Sequence, residues 1–482
     1  MSPRATSRTR VLNSALALTL AVPLVGGLAA PAAAAAEPSA TPLGQQTLDE
    51  RGLYFVSYDG LVNNGSYQQS GIITHGDFQY AAWYTETRHA VLARRDLRGG
   101  DWQTLELPHR LSVDDSHNSI SLGVSAEDRS LHVAMDTHNN RVFYTRSVEG
   151  LLSGDAPWSI DSFEPISRDL AGLDIGSITY PRFISAPDDG LQLAYRTGGS
   201  GDGTLELAEY DGDDDGDGHW THLGAWSSPE GSYEANGAVS TSRNMYLHGI
   251  GYGGDGRLHA SFTWRETAAG GDILCHPGGL SNHDTGYVYS DDEGRTWHTD
   301  DGSVAAVTGT SQRVSVDTPG HVVDPLPLNY ALMNQESQAV DGEGNPHILV
   351  SYRPGRFGHC STDFVRDRRE QGYVFHVYQD DAGQWHKMEI PERLQAFGRS
   401  RLVMTDEDTA YVVMPFGRIM AATAGSGWSD WTMVHDGSDI DAFGEVLVDE
   451  SRVASEGVLS ILYQEAGDRP STPVRVADFR LG

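Results

Sequence analysis

The sequence predicts an all-β fold, a seven-bladed β-propeller forming a single domain over residues 51–482, and three observations predict it. Short alternating or β-branched and aromatic runs, separated by turns rich in Gly, Asp and Asn, occupy nearly the whole chain. A unit of turn, strand, turn and strand recurs at a spacing of about 40 to 60 residues, which is the size of a propeller blade. Residues Ser290–Trp297 match the Asp-box hairpin, Ser-x-Asp-x-Gly-x-Thr-Trp, which is typical of propellers.

The recurring unit predicts the number of blades and the way the ring closes. It is found at Ser130–Tyr144, Gly190–Tyr210, Gly256–Trp264 with Gly286–Trp297, Gly344–Arg353 with Gly372–Trp385, and Thr409–Trp431. Four strands in each blade give about seven blades. An early strand, Leu53–Tyr58, is expected to complete the last blade and so remove exposed sheet edges. Residues 37–50 are polar and contain proline, which predicts a flexible leader.

Residues 1–36 are predicted to be a secretory signal peptide. Three arginines precede an apolar run from Val11 to Leu28, and an alanine-rich region with small-residue cleavage follows near Ala36. A membrane anchor is the alternative, but Pro23 and two glycines interrupt the apolar run. The mature protein is therefore expected to be secreted, extracellular and monomeric.

The formal net charge of −33 restricts the partners. A strongly acidic chain is repelled by nucleic acid and by anionic membrane surfaces, so neither is an expected partner. An acidic polysaccharide stays compatible with this charge, provided that the binding site is locally basic. Strong acidity is also common in extracellular proteins for solubility alone.

Four polar residues on strand-like segments form the candidate catalytic set: His117, His138, Tyr180 and Arg196. A cation, two imidazoles and a phenol are what an enzyme needs to remove a proton beside a carboxylate. Arg196, helped by His138, is expected to neutralise the acid. His117 or Tyr180 would take the proton, and Tyr180 would protonate the departing oxygen. The alternatives are core histidines and a structural ion pair for Arg196.

The predicted strands bring this set to one place. His117 and His138 are expected on consecutive strands of one blade, and Tyr180 and Arg196 on consecutive strands of the next. Inner strands of neighbouring blades converge on the propeller axis, so all four residues should meet at one mouth of the channel.

Other polar residues are candidates for substrate binding, for a structural pair or for further positive charge. Three residues could bind substrate, with a structural role as the alternative: Asn118, Tyr246 and His259. Arg265 and Glu266 are expected to form a structural pair. Arg399 and Arg401 are further candidate cations, with solvent exposure as the alternative.

Four residues form a candidate structural zinc site: Cys275, His283, His359 and Cys360. Thiolates and imidazoles are zinc ligands, but in a secreted protein a Cys275–Cys360 disulfide is an equal alternative. Residues 211–217 resemble the start of a calcium loop. His222 stands where the bidentate Glu is required, so an acidic turn is the alternative. No cofactor is expected for catalysis.

Five segments carry a resemblance to a known family. They are Ser-His-Asn-Ser-Ile-Ser-Leu-Gly from residue 116, Thr-Tyr-Pro-Arg-Phe from 179, Phe-Thr-Trp-Arg-Glu from 262, Asn-His-Asp-Thr-Gly-Tyr-Val-Tyr-Ser-Asp-Asp from 282, and Asn-Gln-Glu-Ser-Gln-Ala-Val-Asp from 334. From about residue 50 onward, the chain resembles the BNR-type seven-bladed propellers that include the ulvan lyases of polysaccharide lyase families 24 and 25.

The resemblance implies a secreted polysaccharide lyase that cleaves a rhamnose–uronate linkage, as in ulvan, by β-elimination. In those lyases two histidines, a tyrosine and an arginine line the propeller centre, and the matching residues are His117, His138, Tyr180 and Arg196. Some relatives are α-L-rhamnosidases that act on the opposite face, so the fold alone does not define the reaction. The alternatives are a glycoside hydrolase, rhamnosidase-like or sialidase-like, and a non-catalytic carbohydrate-binding propeller.

Overall fold

Short β-branched and aromatic runs between tight turns fold into seven antiparallel sheets, each forming one blade of a propeller. The computed structural model describes residues 37–67, 70–154, 156–212, 218–267, 273–277, 279–468 and 470–482. Within this part of the chain, Pro38–Gly482 forms one unit. The predicted all-β, seven-bladed propeller is therefore confirmed, whereas the predicted signal peptide lies outside the described residues.

The strands follow one another blade by blade. The first strand is β1 (Ala40–Leu53). Blade 1 contains β2 (Ile72–His75), β3 (Phe78–Tyr84), β4 (His89–Asp96) and β5 (Gln103–Arg110). Blade 2 contains three strands, β6 (Ser121–Ser125), β7 (Ser130–Met135) and β9 (Phe143–Arg146). The short β8 (His138–Arg141) lies between β7 and β9 along the chain but outside their sheet. Blade 3 contains β10 (Ser177–Ser185), β11 (Leu191–Gly199), β12 (Asp202–Asp211) and β13 (His219–Ala225).

A small hairpin of β14 (Tyr233–Ala235) and β15 (Ala238–Ser240) precedes blade 4. Blade 4 contains β16 (Arg243–Tyr252), β17 (Leu258–Glu266), β18 (Asn282–Ser290), β19 (Thr296–His298), β20 (Val304–Val307) and β21 (Val322–Asp324). Blade 5 contains β22 (Ser337–Val340), β23 (Pro346–Tyr352), helix α1 (Phe364–Gln371), β24 (Tyr373–Gln379) and β25 (Trp385–Arg393). Blade 6 contains β26 (Arg401–Met404), β27 (Thr409–Met414), β28 (Arg418–Thr423) and β29 (Thr432–His435). Blade 7 contains β30 (Leu447–Val448), helix α2 (Glu450–Glu456), β31 (Val458–Gln464) and β32 (Ser471–Leu481).

Helices are short and few in the described chain. Single 3-10 turns occupy Leu151–Ser153, Ile160–Ser162, Gly355–Phe357, Pro415–Gly417 and Ala424–Ser426. None of the helices in the described residues has both the length and the apolar character that crossing a membrane requires.

The hydrophobic core is divided into clusters between neighbouring blades. Because each blade is covered on both faces, its second strand is buried on both sides, as every residue of β7 and β23 is. The predicted Asp box is confirmed. The Asp292 carboxylate accepts the Thr296 backbone N–H at 2.6 Å, and the fully buried Trp297 stacks on Trp226 with ring centroids 4.3 Å apart.

The N-terminal strand closes the ring. β1 pairs antiparallel with β32 along nearly its whole length, so it forms the outer strand of blade 7. The prediction of a flexible leader over residues 37–50 is therefore wrong from Ala40 onward, and the closing strand is β1 rather than Leu53–Tyr58. Most side chains of β1 are exposed on the rim, so it lacks the apolar alternation by which strands are predicted.

Removal of the closing strand is expected to destabilise the whole propeller. A variant lacking residues 1–52 exposes the edge of β32, and we expect an apparent Tm lower by about 10 °C or more together with aggregation. Circular dichroism melting and size-exclusion chromatography measure both effects. The control is a variant lacking residues 1–36, which should keep the Tm of the full chain. Equal melting of the two shortened proteins would contradict a closing role for β1.

Candidate active site

Neighbouring blades bring the four candidate catalytic residues to one end of the propeller axis. Tyr180 lies on β10 and Arg196 on β11, which are consecutive strands of blade 3. His138 begins β8 and pairs with Thr179 of β10. His117 lies in the loop between β5 and β6. The predicted strand position of His117 is therefore wrong, because the chain reaches the axis through a loop between blades at this point.

Aromatic contacts join these groups into one cluster. The rings of His117 and His138 stack with centroids 4.4 Å apart. The ring of Tyr180 lies 5.9 Å from that of His117 and 6.2 Å from that of His138. Tyr67, which precedes blade 1, stacks on His117 at 4.5 Å. Since His138 and Tyr67 both lie nearly parallel to His117 at contact distance, they cover the two faces of its imidazole.

The backbone directs Tyr180 toward this cluster. Its φ of 58° lies in the left-handed region, which bulky residues rarely adopt. The pairing of β10 with β11 shifts register between Thr179 and Arg182, which marks a β-bulge. Bulges re-aim side chains beside active sites, and a strained residue of this kind costs about 1–3 kcal/mol. The sheet on both sides of the bulge therefore holds the phenol in its position.

Asp115 links the two histidines. Its Oδ1 accepts a hydrogen bond from Nδ1 of His117 at 2.6 Å, and its Oδ2 accepts one from Nδ1 of His138 at 2.7 Å. Burial alone would raise the pKa of Asp115, but the hydrogen bonds from both histidines outweigh burial and hold the pKa well below its usual range. An ionised carboxylate only accepts hydrogen bonds, so each imidazole carries a proton on Nδ1.

His117 is neutral at neutral pH. Burial lowers its pKa to about 4, although the hydrogen bond to Asp115 opposes this change. Because Nδ1 carries the single proton of the neutral ring, Nε2 carries the lone pair. His117 therefore offers a proton acceptor on the side of the ring that faces away from Asp115.

Tyr180 is a proton donor in the same cluster. Burial raises its pKa well above the ordinary value, and the neighbouring Tyr246 adds to this rise, while Arg196 opposes it. The phenol therefore keeps its proton at neutral pH. His117 and Tyr180 thus stand in opposite protonation states, one ready to accept a proton and the other ready to donate one.

Arg196 carries a buried charge without an acidic partner. Its side chain is 2% exposed, its guanidinium carbon lies 5.2 Å from the ring centre of Tyr180, and its Nη1 donates to the hydroxyl of Tyr246 at 2.9 Å. Among the described residues no carboxylate forms an ion pair with it, and its buried Nε lacks a hydrogen-bond partner. A structural ion pair therefore does not explain Arg196, and a buried unpaired cation attracts an anionic ligand.

Tyr246 joins the site through its two arginine neighbours. Burial alone would raise its pKa, but Arg265 and Arg196 outweigh burial and lower the pKa below its ordinary value. The guanidinium carbon of Arg265 lies 5.6 Å from the ring centre of Tyr246. Tyr246 is therefore the phenol of this site that most readily carries negative charge or accepts a hydrogen bond.

Arg399 and Arg401 are buried rather than exposed. The guanidinium carbon of Arg399 lies 4.6 Å from the ring centre of Tyr67, and its Nη1 donates to Glu445 at 2.8 Å. Arg401 donates to Glu450 at 2.7 Å. Carboxylates compensate the charges of both arginines, in contrast to Arg196. Arg399 packs against the ring of Tyr67.

Two predicted substrate-binding residues are buried. Asn118 is buried, and its Nδ2 donates to Asp136 at 2.5 Å. His259 is buried in blade 4, where it makes a 2.7 Å hydrogen bond with Tyr287. It pairs with Gly251, at the other end of β16 from Tyr246, because β17 runs antiparallel to β16. The predicted role of His259 in substrate contact is therefore wrong, whereas that of Asn118, which directly follows His117, stays a prediction.

The predicted pair of Arg265 with Glu266 is also wrong. Successive residues of a strand point to opposite faces of the sheet, so these two side chains separate. Glu266 instead accepts hydrogen bonds from Arg243 at 2.7 Å and from His283 at 3.0 Å. This buried group is a structural element of blade 4.

The predicted zinc site is replaced by a disulfide between Cys275 and Cys360. Disulfide sulfurs are not thiolates, and the thiolate is the metal ligand. His283 is buried against Glu266 and Asp284, and His359 is exposed. These four residues therefore do not form a zinc site.

The candidate calcium loop lies mostly at residues 213–217, which are outside the described residues. A different group could hold a metal: Asp115, His117 and His138 offer three ligand atoms within 4.8 Å of one another. Carboxylate and imidazole suit divalent transition metals. Both Nδ1 atoms already donate to Asp115, so a metal ion would compete with the hydrogen bonds that orient the rings.

A larger cavity than the one at the candidate site lies elsewhere on the axis. A cavity of about 480 Å³ opens at the opposite end of the axis, where Ile184 of β10 and Tyr252 of β16 are among its lining residues. The candidate catalytic residues do not line it. A cavity of about 20 Å³ touches Tyr180, Arg196 and Tyr246, which is room for about one water molecule.

Sequence reasoning missed Asp115 and Tyr67. Asp115 stands two residues before His117, and a carboxylate at that spacing is a recognisable partner for an imidazole. Tyr67 has no such signal, because it reaches His117 only through packing of the loop that precedes blade 1.

Residues 78–393 match the sequence profile of the family described as "BNR repeat-containing family member". A long-isoform ulvan lyase of Pseudoalteromonas sp. (strain PLSV) is 23% identical over 443 residues, covering 81% of this chain and 41% of that protein. A short-isoform ulvan lyase of Alteromonas sp. (strain LOR) is 25% identical over 310 residues, covering 52% of this chain and 56% of that protein. The chain thus spans less than half the length of the long relative.

Two solved structures have a similar fold. The polysaccharide lyase Uly1 has a TM-score of 0.66 at 17% identity, covering 91% of this chain and 99% of that one. A PL25 ulvan lyase bound to -[GlcA(1-4)Rha3S]- has a TM-score of 0.59 at 12% identity, covering 90% of this chain and 95% of that one. The profile match runs from β3 to β25, most of the way around the ring. The chain belongs to the BNR repeat-containing family.

Proposed function

We propose that this protein is a polysaccharide lyase that cleaves a uronate-containing polysaccharide by β-elimination and leaves unsaturated uronate ends. The observation that carries the proposal is the buried charge of Arg196, which has no ion-pair partner among the described residues, beside a protonated Tyr180 and a neutral His117. Three of the requirements of this reaction, a cation, an acid and a base, are met within one cluster. Relatives named ulvan lyases support the same reaction class.

The first requirement is to neutralise the substrate carboxylate. The proton on C5 of a uronate is weakly acidic, because its removal puts negative charge next to an existing carboxylate. Arg196 supplies a fixed positive charge at low exposure, where charges interact more strongly than in water. The hydroxyl of Tyr246 accepts a hydrogen bond from Nη1 of Arg196, and the buried Nε has no hydrogen-bond partner among the described residues. We expect Nε2 of His138 to assist, because its Nδ1 is engaged by Asp115.

The protonation states of His117 and Tyr180 assign the base and the acid of the reaction. Nε2 of His117 takes the C5 proton, the electrons of the C5–H bond form the C4–C5 double bond, and the C4–O bond breaks. Tyr180 gives its proton to the departing oxygen. His117 ends protonated and Tyr180 ends ionised, and proton exchange with water restores both groups. These steps use protein groups alone, so no cofactor is part of the proposed reaction.

The expected substrate is an ulvan-like polymer with a rhamnose–uronate linkage, because the relatives with this propeller are named ulvan lyases. We further propose that the protein is secreted and acts as a monomer. The Cys275–Cys360 disulfide supports an extracellular setting, since disulfides persist in oxidising compartments.

Substitution of the acid or the cation should abolish product formation. Tyr180→Phe removes the donated proton, and we expect turnover of ulvan to fall by about 10²–10⁴-fold. Arg196→Gln removes the charge that stabilises the intermediate, and we expect a loss of about 10³-fold. The absorbance of the new double bond measures turnover. Tyr289→Phe, in β18 outside the site, is the matched control and should keep wild-type activity.

The same assay separates the competing functions. Wild-type turnover by Tyr180→Phe would reject the proposed acid. Cleaved products without a double bond would indicate a glycoside hydrolase, and binding without any product would indicate a carbohydrate-binding propeller.

Loss of Asp115 should affect the chemistry through the histidines. Asp115→Asn removes an acceptor that holds the Nδ1 protons of His117 and His138, so the neutral rings can change tautomer. We expect kcat to fall by about 10²-fold, with a smaller change in KM. Imidazole nitrogen NMR shifts should show mixed tautomers in the variant. The control Asp114→Asn changes an exposed neighbour and should alter neither signal nor rate. Unmixed tautomers with normal kcat in Asp115→Asn would exclude the positioning role.

The buried base should give a characteristic pH dependence. We expect kcat/KM to rise with pH around the His117 pKa of about 4 and to stay level through neutrality. Stability has the same sign, because the folded pKa lies below the unfolded value of about 6.5. The contribution of His117 is complete above pH 6.5 and is lost as the pH falls through 4. His117→Gln should lose less stability over that range in chemical denaturation. An acid limb of kcat/KM centred at about 6.5 would argue against His117 as the base.

A further inference from the structure

A strained turn beside the site carries an exposed tyrosine. Ser57 and Gly60 exchange two backbone hydrogen bonds of 3.0 Å across Tyr58 and Asp59. Both central residues have positive φ, 51° and 59°. Two positive φ values define a type I′ turn, which is normally occupied by Asn, Asp or Gly. A tyrosine in this conformation is an outlier, and such outliers cluster at ligand-binding sites.

The turn is anchored at both of its sides. The backbone carbonyl of Ser57 accepts a 2.6 Å hydrogen bond from the hydroxyl of Ser116, the residue before His117. The Asp59 carboxylate pairs with Arg369 of helix α1 at 2.9 Å. The turn is therefore tied to the His117 loop on one side and to blade 5 on the other, which holds Tyr58 over the site.

The ring of Tyr58 packs against the imidazole of His117. Its centroid is 4.4 Å from that of His117 at an interplanar angle of 77°. His138 and Tyr67 cover the two faces of the imidazole, and Asp115 occupies its Nδ1 edge. Tyr58 therefore packs beside the imidazole that takes the proton in the proposed reaction.

Tyr58 is 65% exposed, although large aromatic side chains normally bury most of their surface. An exposed ring on a strained and anchored turn buries little surface in the fold, but it is well placed to contact a ligand. We infer that Tyr58 is a sugar-stacking subsite for the polysaccharide, in contact with the residue bound next to the uronate that reacts. This inference rests on the proposed function for the identity of the reacting sugar.

The chemistry of the ring selects the kind of sugar. A phenol ring packs against the apolar C–H face of a pyranose, and its hydroxyl can hydrogen-bond to a sugar hydroxyl. The charged carboxylate is bound on the Arg196 side, next to Tyr180. The sugar on Tyr58 is therefore the neighbour in the chain, and a 6-deoxy sugar, whose C6 is a methyl group instead of a hydroxymethyl group, offers the more apolar surface to this ring.

The test uses three substitutions of one residue. Tyr58→Ala removes the ring, Tyr58→Gly removes the ring and also relieves the positive φ, and Tyr58→Phe keeps the ring as the matched control. For Tyr58→Ala and Tyr58→Gly we expect KM for ulvan to rise about tenfold, the usual scale for deleting an aromatic interface contact, with a smaller change in kcat. Tyr58→Phe should stay within about threefold of wild type.

Thermal unfolding separates binding from folding. Glycine adopts positive φ without strain, so Tyr58→Gly should melt at the wild-type Tm or above it while binding substrate less well. A lower Tm for Tyr58→Gly would mean that the ring supports the fold, and the inference would be overturned. An unchanged KM in Tyr58→Ala, alongside an inactive Tyr180→Phe, would also overturn it while leaving the lyase proposal intact.

A binding measurement covers the case in which the protein is not a lyase. Affinity electrophoresis in gels containing ulvan compares wild type, Tyr58→Ala and Tyr58→Phe without any need for turnover. Weaker retention of Tyr58→Ala alone would support the subsite even if no double bond forms. Equal retention of all three proteins would reject it.

Discussion

The pairing of β1 with β32 is the constraint on which the rest of the propeller depends. A ring of blades buries its sheet edges only when the last blade is complete, and here the missing outer strand comes from the other end of the chain. Blade 7 then packs on blade 1 through a shared cluster that includes Leu462, Val474 and Trp83. The indole of Trp83 also donates to Asp49 of β1 at 3.0 Å. Once the ring is closed, loops from blades 1, 2, 3 and 4 must converge on the same end of the axis, and the site forms where they meet.

Several residues at that end have an uncommon backbone conformation. Six residues in or beside the cluster have positive φ without being glycine: Tyr58, Tyr67, Asp136, Asn139, Tyr180 and Gln335. Several of them are held by further contacts. Gln335, for example, donates from Nε2 to the backbone carbonyl of Tyr67 at 3.3 Å. Strained conformations persist only where the surroundings impose them, so the packing of the closed propeller must hold these residues in place. A site built in this way is already arranged before a ligand arrives, which lowers the ordering cost of binding.

The sequence predicted the architecture better than the details of the site. Blade repeats and the Asp box depend on local patterns, and those patterns identified seven blades and the hairpin at Trp297. β1 was not predicted because an outer strand on the rim lacks the alternation of apolar and polar residues by which strands are recognised. The four site residues could be grouped from their order along the chain, but the position of His117 in a loop could not. The contacts of Tyr67 and Tyr58 with His117, and the burial of Arg399, depend on packing between segments that are distant in sequence. The spacing of residues along the chain does not predict such contacts.

The distribution of charge explains how so acidic a chain can suit an acidic polymer. Charges separated by more than a Debye length, about 10 Å at 0.1 M salt, are largely screened when they are exposed. Most of the net charge of −33 is therefore weakly felt at the axis. Arg196 is buried and has no ion-pair partner among the described residues, so its field is screened far less, whereas the negative charge of Asp115 is directed into hydrogen bonds from two imidazoles. A carboxylate bound beside Arg196 would meet this fixed positive charge at short range, and the proposed selectivity for a uronate resides in that arrangement rather than in the total charge of the protein.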